Sequence, residues 1–283
     1  MTEAIDLTDR PLDLKKTLEC GQTFSWRKIR EDEKTKYLTV RDRGVLKVWQ
    51  EGDILYYDNY GKGVEPREVL RLDDDLEEIY GGLEKDGFME RSVLANHGLR
   101  IVRDDFFPCL VAYITSAQMQ IPRIRRVQRD LERKYGRPLR FGGEEYYEFP
   151  EPEKLAEVSE DELKNLSIGY RAKYLKKTAE MVRDGVVSEG ELEEMDYLEA
   201  REELRKLSGV GNKVADCVLL FSFGFLEAFP IDTWVRKVVK KKYPQLYDKK
   251  YNKLSENMRE YFGRYAGYAQ EYMFYFGRNC EDI

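Results

Sequence analysis

A lysine and an aspartate in the last third of the chain have the types and spacing that could do chemistry. Lys213 lies at the start of a predicted helix, and Asp232 follows nineteen residues later at the start of the next one. An amine near the positive end of a helix dipole and a carboxylate can both take part in covalent or acid–base catalysis. Taken alone, Asp232 would be interpreted as an ordinary N-cap, because aspartate is common at that position.

The residues just before the lysine predict a tight hairpin between two helices. Gly209 and Gly211 flank one aliphatic residue, Val210, which is expected to plug between the helices while backbone N–H groups point outward. Outward amides at a helix N-terminus suit a phosphate. The glycines alone would also fit an ordinary helix corner with a glycine C-cap. The hairpin over 207–213, the lysine and the aspartate together form a more specific pattern.

Composition limits the chemistry to lysine, carboxylates and backbone groups. The one histidine, His97, has no nucleophile signature nearby, so serine–histidine and cysteine–histidine catalysis and multi-histidine metal sites are not expected. No C-x-x-C pair occurs, which argues against zinc and iron–sulfur centres. We predict no metal and no cofactor, although the hairpin's backbone carbonyls could hold a cation. The scattered cysteines are Cys20, Cys109, Cys217 and Cys280.

The elements that must position these groups change in character near residue 90. Short aromatic and β-branched runs over 24–58, with turn sequences between them, predict an antiparallel meander. Residues 70–80 have helical spacing, and Gly81-Gly82 is expected to end that helix. We therefore predict an α+β protein, with an antiparallel β-rich domain over 1–90 and a mostly α-helical domain, without further strands, over 91–283.

Helical periodicity continues through the second predicted domain. Apolar residues at three and four spacings, Pro122 near a helix start and a capping box at 159–162 set the expected boundaries. Gly185 is expected to end the helix that begins at Arg171. The predicted helices cover residues 106–119, 121–135, 171–183, 198–207, 212–223, 233–243 and 265–278.

The net charge of −6 argues mildly against a polyanionic partner until it is divided along the chain. Residues 1–90 hold 15 basic and 22 acidic residues, whereas the rest of the chain holds 33 basic and 32 acidic ones. Basic side chains crowd two predicted helices, at 123–137 and 236–242. Such runs are commonly only solvated faces. The second domain's charge nevertheless no longer excludes nucleic acid.

The segment 204–235 resembles the helix-hairpin-helix (HhH-GPD) DNA glycosylases, which are named for the hairpin and the downstream Gly/Pro…Asp loop. Members with lysine at the position of Lys213 are bifunctional. The resemblance implies that the Lys213 amine attacks the sugar C1′, forms a Schiff base and leads to β-elimination, while Asp232 stabilises the developing positive charge. The iron–sulfur branch has four cysteines near its C-terminus, where this chain has only Cys280.

Three further motifs resemble the 8-oxoguanine DNA glycosylases and imply a pocket for the flipped base. In LECGQTFSWR (18–27), the Gly21 carbonyl would accept the N7 hydrogen that distinguishes 8-oxoguanine from guanine. In KVADC (213–217), Cys217 would pack on one face of the base. In GYAQEYMF (267–274), Gln270 would read the Watson–Crick edge and Phe274 would stack on the other face. Without the resemblance, ordinary core packing is the alternative for Cys217 and Phe274.

Residues expected to contact the DNA strand include two departures from the family pattern. Gln118, in SAQMQIPRI (116–124), replaces an asparagine that fills the gap left by the flipped base. Trp234 replaces a phosphate-binding histidine, and its indole can donate one hydrogen bond but carries no charge. Arg123 and Arg171 match arginines that contact the estranged cytosine. Both departures bear on the preference for the opposite base.

The sequence therefore predicts a DNA repair enzyme, an N-glycosylase and abasic-site lyase, that excises 8-oxoguanine from duplex DNA and cleaves the resulting abasic site. The open alternatives are a glycosylase for another lesion, such as alkylated purines, and a non-catalytic helix-hairpin-helix module that only binds duplex DNA. No apolar run is long enough for a membrane span, and no secretory signal pattern occurs. We expect an intracellular monomer, located in the nucleoid or the nucleus according to its source.

Overall fold

The computed structural model describes residues 2–279 and contains the predicted antiparallel sheet. The sheet has five strands in the order β1-β5-β4-β3-β2, and every neighbouring pair is antiparallel. The predicted meander forms the last four strands, whereas β1 pairs with the outer edge of β5 and was not predicted. The strands are β1 (Thr2–Asp6), β2 (Arg27–Glu31), β3 (Lys34–Arg41), β4 (Gly44–Glu51) and β5 (Ile54–Gly61).

The chain that follows the last strand of the sheet is mainly helical, and this confirms the predicted α+β class. Single π-helical turns at Lys164–Ile168 and Leu219–Phe223 and a 3₁₀ turn at Gly263–Tyr265 interrupt it. The helices are α1 (Leu14–Glu19), α2 (Pro66–Val69), α3 (Leu76–Leu83), α4 (Gly87–Ala95), α5 (Phe106–Thr115), α6 (Ile121–Tyr135), α7 (Pro152–Glu157), α8 (Glu160–Leu163), α9 (Arg171–Arg183), α10 (Glu189–Glu194), α11 (Tyr197–Leu204), α12 (Asn212–Val218), α13 (Thr233–Lys242), α14 (Tyr251–Phe262) and α15 (Ala266–Asn279).

Most helices predicted in the second domain are observed, and two have the predicted bounds, α6 and α9. The capping box is also confirmed, because Ser159 and Glu162 each accept a hydrogen bond from the other's backbone N–H. The predicted helix over 106–119 ends earlier, at Thr115, and the segment over 212–223 divides into α12 and a π-helical turn. The boundary predicted at residue 90 falls inside α4, so the division into 1–90 and 91–283 stays a prediction.

The helix predicted over 70–80 was wrong. Asp75 is the N-cap of α3 and accepts a hydrogen bond from the Glu78 amide, so the helix begins at Leu76 and continues through both glycines. The preceding leucines, Leu70 and Leu72, pack into the core beneath the sheet instead. Their spacing reflects burial against strands and not a helix face.

The expectation of no strands after residue 90 was also wrong. A hairpin of β6 (Pro138–Phe141) and β7 (Glu144–Tyr147) follows α6. Phe141 and Tyr146 of this hairpin pack with Leu38 and Val45 on the face of the sheet opposite its main core. The two parts of the chain therefore share an apolar interface that local periodicity does not encode.

The core of the helical part also incorporates a segment that lies between the first and second strands of the sheet. Cys20 and Phe24 belong to the same apolar cluster as α5, α12 and α15, while Trp26 belongs to the cluster under the sheet. The stretch between α1 and β2 thus runs along the junction of the two cores. This position brings Gly21 to the helical domain.

Candidate active site and nucleic-acid interface

A cavity of about 920 Å³ opens between the α1–β2 segment, the α5–α6 loop, α12, the start of α13 and α15. It gathers residues that lie far apart in the sequence, which requires the complete tertiary fold. Eight of the predicted site residues line this one cavity: Gly21, Gln118, Lys213, Cys217, Asp232, Trp234, Gln270 and Phe274. The remaining predicted residues, Gly209, Val210, Gly211, Arg123 and Arg171, are not part of its lining.

Lys213 is the second residue of α12 and is half-buried in the cavity wall. Its Nζ atom lies 4.6 Å from the centroid of the Tyr113 ring, a distance at which the ring attracts an ammonium group. The Tyr113 ring stacks on Phe221, and its hydroxyl donates a 2.7 Å hydrogen bond to the Gln22 carbonyl. The amine is therefore placed by a tyrosine that is itself fixed at both ends.

Asp232 is the N-cap of α13, and its Oδ1 atom accepts a 2.7 Å hydrogen bond from the Val235 amide. The plain N-cap interpretation is therefore confirmed. The carboxylate also lines the cavity that contains Lys213, so capping and catalysis are compatible. Capping fixes the side-chain rotamer, and this orients the carboxylate beside the cavity.

A buried hydrogen-bond chain, not anticipated from the sequence, connects the lysine helix to the aspartate loop. The Ile231 amide donates to the Tyr251 hydroxyl at 3.1 Å, and that hydroxyl donates to Asp216 at 2.7 Å. Asp216 is fully buried on α12, where it pairs with Arg201 at 2.6 Å. Burial raises the pKa of Asp216, while the Arg201 charge acts in the opposite direction. The sequence feature that could have indicated this buried chain is Asp216, the single carboxylate in the otherwise apolar run 214–220.

Cys217 lies one turn beyond the lysine and is 3% exposed. Burial raises the pKa of its thiol to about 12, although the nearby Lys213 charge acts to lower it. The thiol is therefore protonated at neutral pH and presents a soft, polarisable surface. Cys217 belongs to the apolar core and also lines the cavity, so the core alternative is partly right.

One face of α15 forms another wall of the cavity. Gln270 is 5% exposed, and its Oε1 atom has no hydrogen-bond partner in the described part of the chain. Phe274 lies one turn later, half-buried, with the Arg278 guanidinium 5.0 Å from its ring centroid. Glu271 lines the same wall and was missed, because its sequence context, AQEYMF, gives no sign that it is buried.

Gly21 meets the cavity in a conformation that favours glycine. Its φ is +116°, and a Cβ atom there would lie 2.5 Å from Ile121 Cδ1. Arg278 donates a 3.0 Å hydrogen bond to the adjacent Cys20 carbonyl, which ties this segment to α15. The backbone at residue 21 is therefore held close to both α6 and α15.

The hairpin has the predicted form. Gly209 has a φ of +80°, and a Cβ atom there would lie 2.8 Å from the Tyr174 Cβ atom. Val210 is buried at 7% exposure, as expected for the plug between helices. Gly211 is exposed and is the N-cap of α12, so the first amides of that helix face outward. This arrangement suits a phosphate.

The two predicted DNA-contacting arginines bind backbone carbonyls. Arg171 is 9% exposed and donates to the carbonyls of Ala117 and Ile168. Arg123 donates to the Ser167 carbonyl. Arg171 thereby holds the loop that carries Gln118, whose φ of +53° is uncommon for a residue other than glycine. Arg123 instead ties the start of α6 to the π-helical turn before α9.

Two exposed aromatic side chains lie close to basic ones, and one of them, Trp234, lines the cavity. Trp234 is 39% exposed at the edge of the cavity, with the Lys237 amine 4.7 Å from its ring centroid. Tyr170 is 54% exposed and lies 4.5 Å from the Arg171 guanidinium. The sequence analysis did not select Tyr170, although an aromatic residue directly before a helix rich in basic residues was a usable signal.

Part of the basic charge has structural roles. Arg125 donates to the Leu18 carbonyl, and Arg236 donates to the carbonyls of Asp248 and Lys249. Both basic runs therefore include side chains that bind the protein's own backbone. In residues 2–279, no cluster of three or more His, Cys, Asp or Glu side chains could hold a metal, and no helix could cross a membrane. Cys280 lies outside that range.

Both parts of the chain match families of DNA repair proteins. Residues 111–264 match the HhH-GPD superfamily of base excision DNA repair proteins, and residues 4–110 match the N-terminal domain of 8-oxoguanine DNA glycosylase. A probable N-glycosylase/DNA lyase from Methanothermobacter thermautotrophicus is 33% identical over 73% of this chain and 72% of its own length. The N-glycosylase/DNA lyase OGG1 of Arabidopsis thaliana is 30% identical over 95% and 78%.

A solved structure shows the same overall arrangement. The 8-oxoguanine glycosylase/lyase of Clostridium acetobutylicum, bound to duplex DNA with cytosine opposite 8-oxoguanine, superposes with a TM-score of 0.88. It is 33% identical, and the match covers 99% of this chain and 98% of that one. The chain therefore belongs to the HhH-GPD superfamily of base excision repair proteins and, within it, to the 8-oxoguanine DNA glycosylases of the N-glycosylase/DNA lyase type.

Proposed function

We propose that this protein binds duplex DNA, excises 8-oxoguanine and cleaves the abasic site, with Lys213 as nucleophile and Asp232 as its electrostatic partner. The observation that carries the assignment is that one cavity contains both residues and all four residues of the expected base pocket. A flipped purine needs a concave, mostly apolar site with a few polar groups. The cavity between α12 and α15 has this character.

The attack on the sugar and the stabilisation of its charge need only groups that line the cavity. The Lys213 amine attacks C1′ as the glycosidic bond breaks and its electron pair leaves with the base. Asp232 stabilises the positive charge that develops on the sugar. Loss of a proton and opening of the sugar ring give the Schiff base. Removal of a C2′ proton then expels the 3′ phosphate, which cleaves the strand.

The pocket residues divide the recognition of the base among them. The Gly21 carbonyl accepts the N7 hydrogen, which guanine lacks, and Gln270 contacts the Watson–Crick edge. Cys217 and Phe274 lie on the two faces of the base. The unpartnered Gln270 amide oxygen supports this assignment, because a buried polar atom without a partner is destabilising unless a ligand satisfies it.

The DNA backbone is held at the hairpin and along the edge of the cavity. Exposed amides at the start of α12 bind a phosphate, Trp234 donates a further hydrogen bond, and Gln118 enters the space left by the flipped base. Arg171 holds the Gln118 loop through the Ala117 carbonyl. Arg123 lies at the start of α6 just after that loop, and both arginines contact the estranged base. Because phosphate contacts release counterions, affinity should fall steeply with salt.

Several remaining features are part of the same proposal. The protein acts as a monomer inside the cell, where its DNA substrate is. It needs no cofactor, so excision should persist in a chelator. Loss of activity in a chelator would instead indicate a cation held by the hairpin carbonyls.

A panel of duplexes tests the function and its alternatives. Purified protein is incubated with duplexes that contain 8-oxoguanine opposite each base, an alkylated purine, or no lesion. We expect release of 8-oxoguanine together with strand cleavage. Preferential release of the alkylated purine would support the other glycosylase, and binding without release of any base would support the non-catalytic module.

A further inference from the structure

A second carboxyl group lies in the base pocket and has no role in the steps above. Glu271 is 2% exposed, yet it lines the cavity beside Asp232 and Phe274. Its Oε1 atom is buried and has no hydrogen-bond partner within residues 2–279. The Cys20 thiol hydrogen-bonds to the carboxyl group, but a buried carboxyl oxygen that has no partner of its own is uncommon. A ligand in the cavity would supply that partner.

The surroundings of Glu271 favour its neutral form. Burial raises the pKa of Glu271 to about 7, and the Asp232 charge acts in the same direction. The Cys20 thiol and the Arg278 guanidinium act in the opposite direction. Burial raises the pKa of Tyr113, on α5, well above its usual range, and the Glu271 charge acts in the same direction. Near neutral pH a large fraction of Glu271 is therefore protonated and offers an O–H donor.

Glu271 lies beside both polar readers of the proposed pocket. It directly follows Gln270 in α15, and its carboxyl interacts with Cys20, the residue before Gly21. In the proposed pose, Gly21 contacts N7 of the purine and Gln270 contacts the Watson–Crick edge. The O6 carbonyl lies between these two positions on the purine. O6 is a hydrogen-bond acceptor and needs a donor, and the Gly21 carbonyl is itself an acceptor.

We infer that the neutral carboxyl of Glu271 donates a hydrogen bond to O6 of the flipped base and is a specificity-determining residue of the pocket. This inference rests on the proposed function. Ionised Glu271 has no proton to donate and repels O6. At the same place it accepts a hydrogen bond from a base that carries an amino group there, as 8-oxoadenine does.

The pH profile of Glu271→Gln separates this role from a structural one, because glutamine keeps a donor and cannot ionise. Single-turnover excision of 8-oxoguanine is measured at about pH 6 and about pH 8. The ratio of the wild-type rate to the Glu271→Gln rate should fall about tenfold, since the neutral fraction of a group with a pKa of about 7 falls by that factor. Glu256→Gln, an exposed residue of α14, is the control whose ratio should stay constant.

A wild-type measurement decides the matter if Glu271→Gln fails to fold. The rate ratio of 8-oxoguanine to 8-oxoadenine is compared at the same two pH values and should fall as pH rises. A pH-independent ratio, or superimposable profiles for wild type and Glu271→Gln, would overturn the inference and leave the proposed function intact. A wild-type protein that releases 8-oxoguanine at neither pH would overturn the function itself.

Discussion

The floor and the rim of the cavity differ in burial and in the way the chain builds them. The floor consists of Gly21, Cys217, Gln270 and Glu271, and its three side chains are at most 5% exposed. The rim consists of Trp234, which lines the cavity at 39% exposure, and of the exposed hairpin residue Gly211, which lies outside the lining at the start of α12. The half-buried Lys213 and Asp232 lie between the two regions.

This difference in burial predicts different functions for the floor and the rim. In the buried floor, where water is excluded, hydrogen bonds are stronger, and a base that leaves the polar groups of the floor unpaired binds poorly. The exposed rim binds phosphates, and the contribution of phosphate contacts to affinity depends on salt and not on the identity of the base. Changes in the floor should therefore alter excision at constant affinity for undamaged DNA, whereas changes in the rim should alter affinity for every duplex.

The largest expected effect on excision is that of replacing Lys213, which lies between the floor and the rim. Lys213→Gln removes the amine that attacks C1′, so excision should fall at least about a thousandfold and borohydride should trap no covalent complex. Denaturing gels after borohydride treatment measure the trapped species. Lys34→Gln, on the sheet with its side chain 48% exposed, is the control and should trap normally. Retained trapping by Lys213→Gln would refute the nucleophile assignment.

The next effect tests the floor. Gln270→Ala removes the amide that reads the Watson–Crick edge, so single-turnover excision should fall roughly 10- to 100-fold. Titration of an undamaged duplex should give the wild-type affinity, because the amide lies away from the phosphates. Gln245→Ala, an exposed residue after α13, serves as the matched control. Excision at the normal rate would remove Gln270 from the pocket.

A pair of glycines tests the rim. Gly209→Ala forces a side chain onto Tyr174 at a positive φ, so it should destabilise the fold by about 1–3 kcal/mol and weaken all duplex binding. Gly211→Ala has a φ of −96° and open space around its Cβ atom, so it should melt at the wild-type temperature. Thermal unfolding followed by circular dichroism measures both. Equal melting temperatures would contradict the hairpin geometry.

The hairpin and the two catalytic residues were easier to predict from the sequence than the floor. The hairpin, Lys213 and Asp232 lie in one continuous segment, where local spacing determines the geometry. Burial of Glu271 depends on Cys20, about 250 residues away, and no local pattern reports that contact. Gly21 was placed only through a family motif, since the neighbour that leaves no room for a side chain there, Ile121, belongs to a distant helix.

The fold errors have the same origin. The hairpin of β6 and β7 was missed because its strands are short and rich in charge, and only packing on the sheet explains its apolar side chains, such as Phe141. The incorrect helix over 70–80 arose because Leu70 and Leu72 are buried beneath strands. In both cases tertiary contacts override a local pattern.

The smallest expected effect concerns the uncharged rim residue that departs from the family pattern. Trp234→His exchanges an indole donor for a ring that gains a charge only below its ordinary pKa, near 6.5. At about pH 8 the affinity for duplex DNA should change by no more than a few fold. At about pH 6 the plot of log affinity against log salt should steepen by about one unit, since one more phosphate is neutralised.

The wild-type protein, which has tryptophan at this position, should show no such change between the two pH values. A slope that Trp234→His leaves unaltered at about pH 6 would mean that residue 234 lies away from the phosphates, so the contacts that grip DNA would be confined to the hairpin side of the rim.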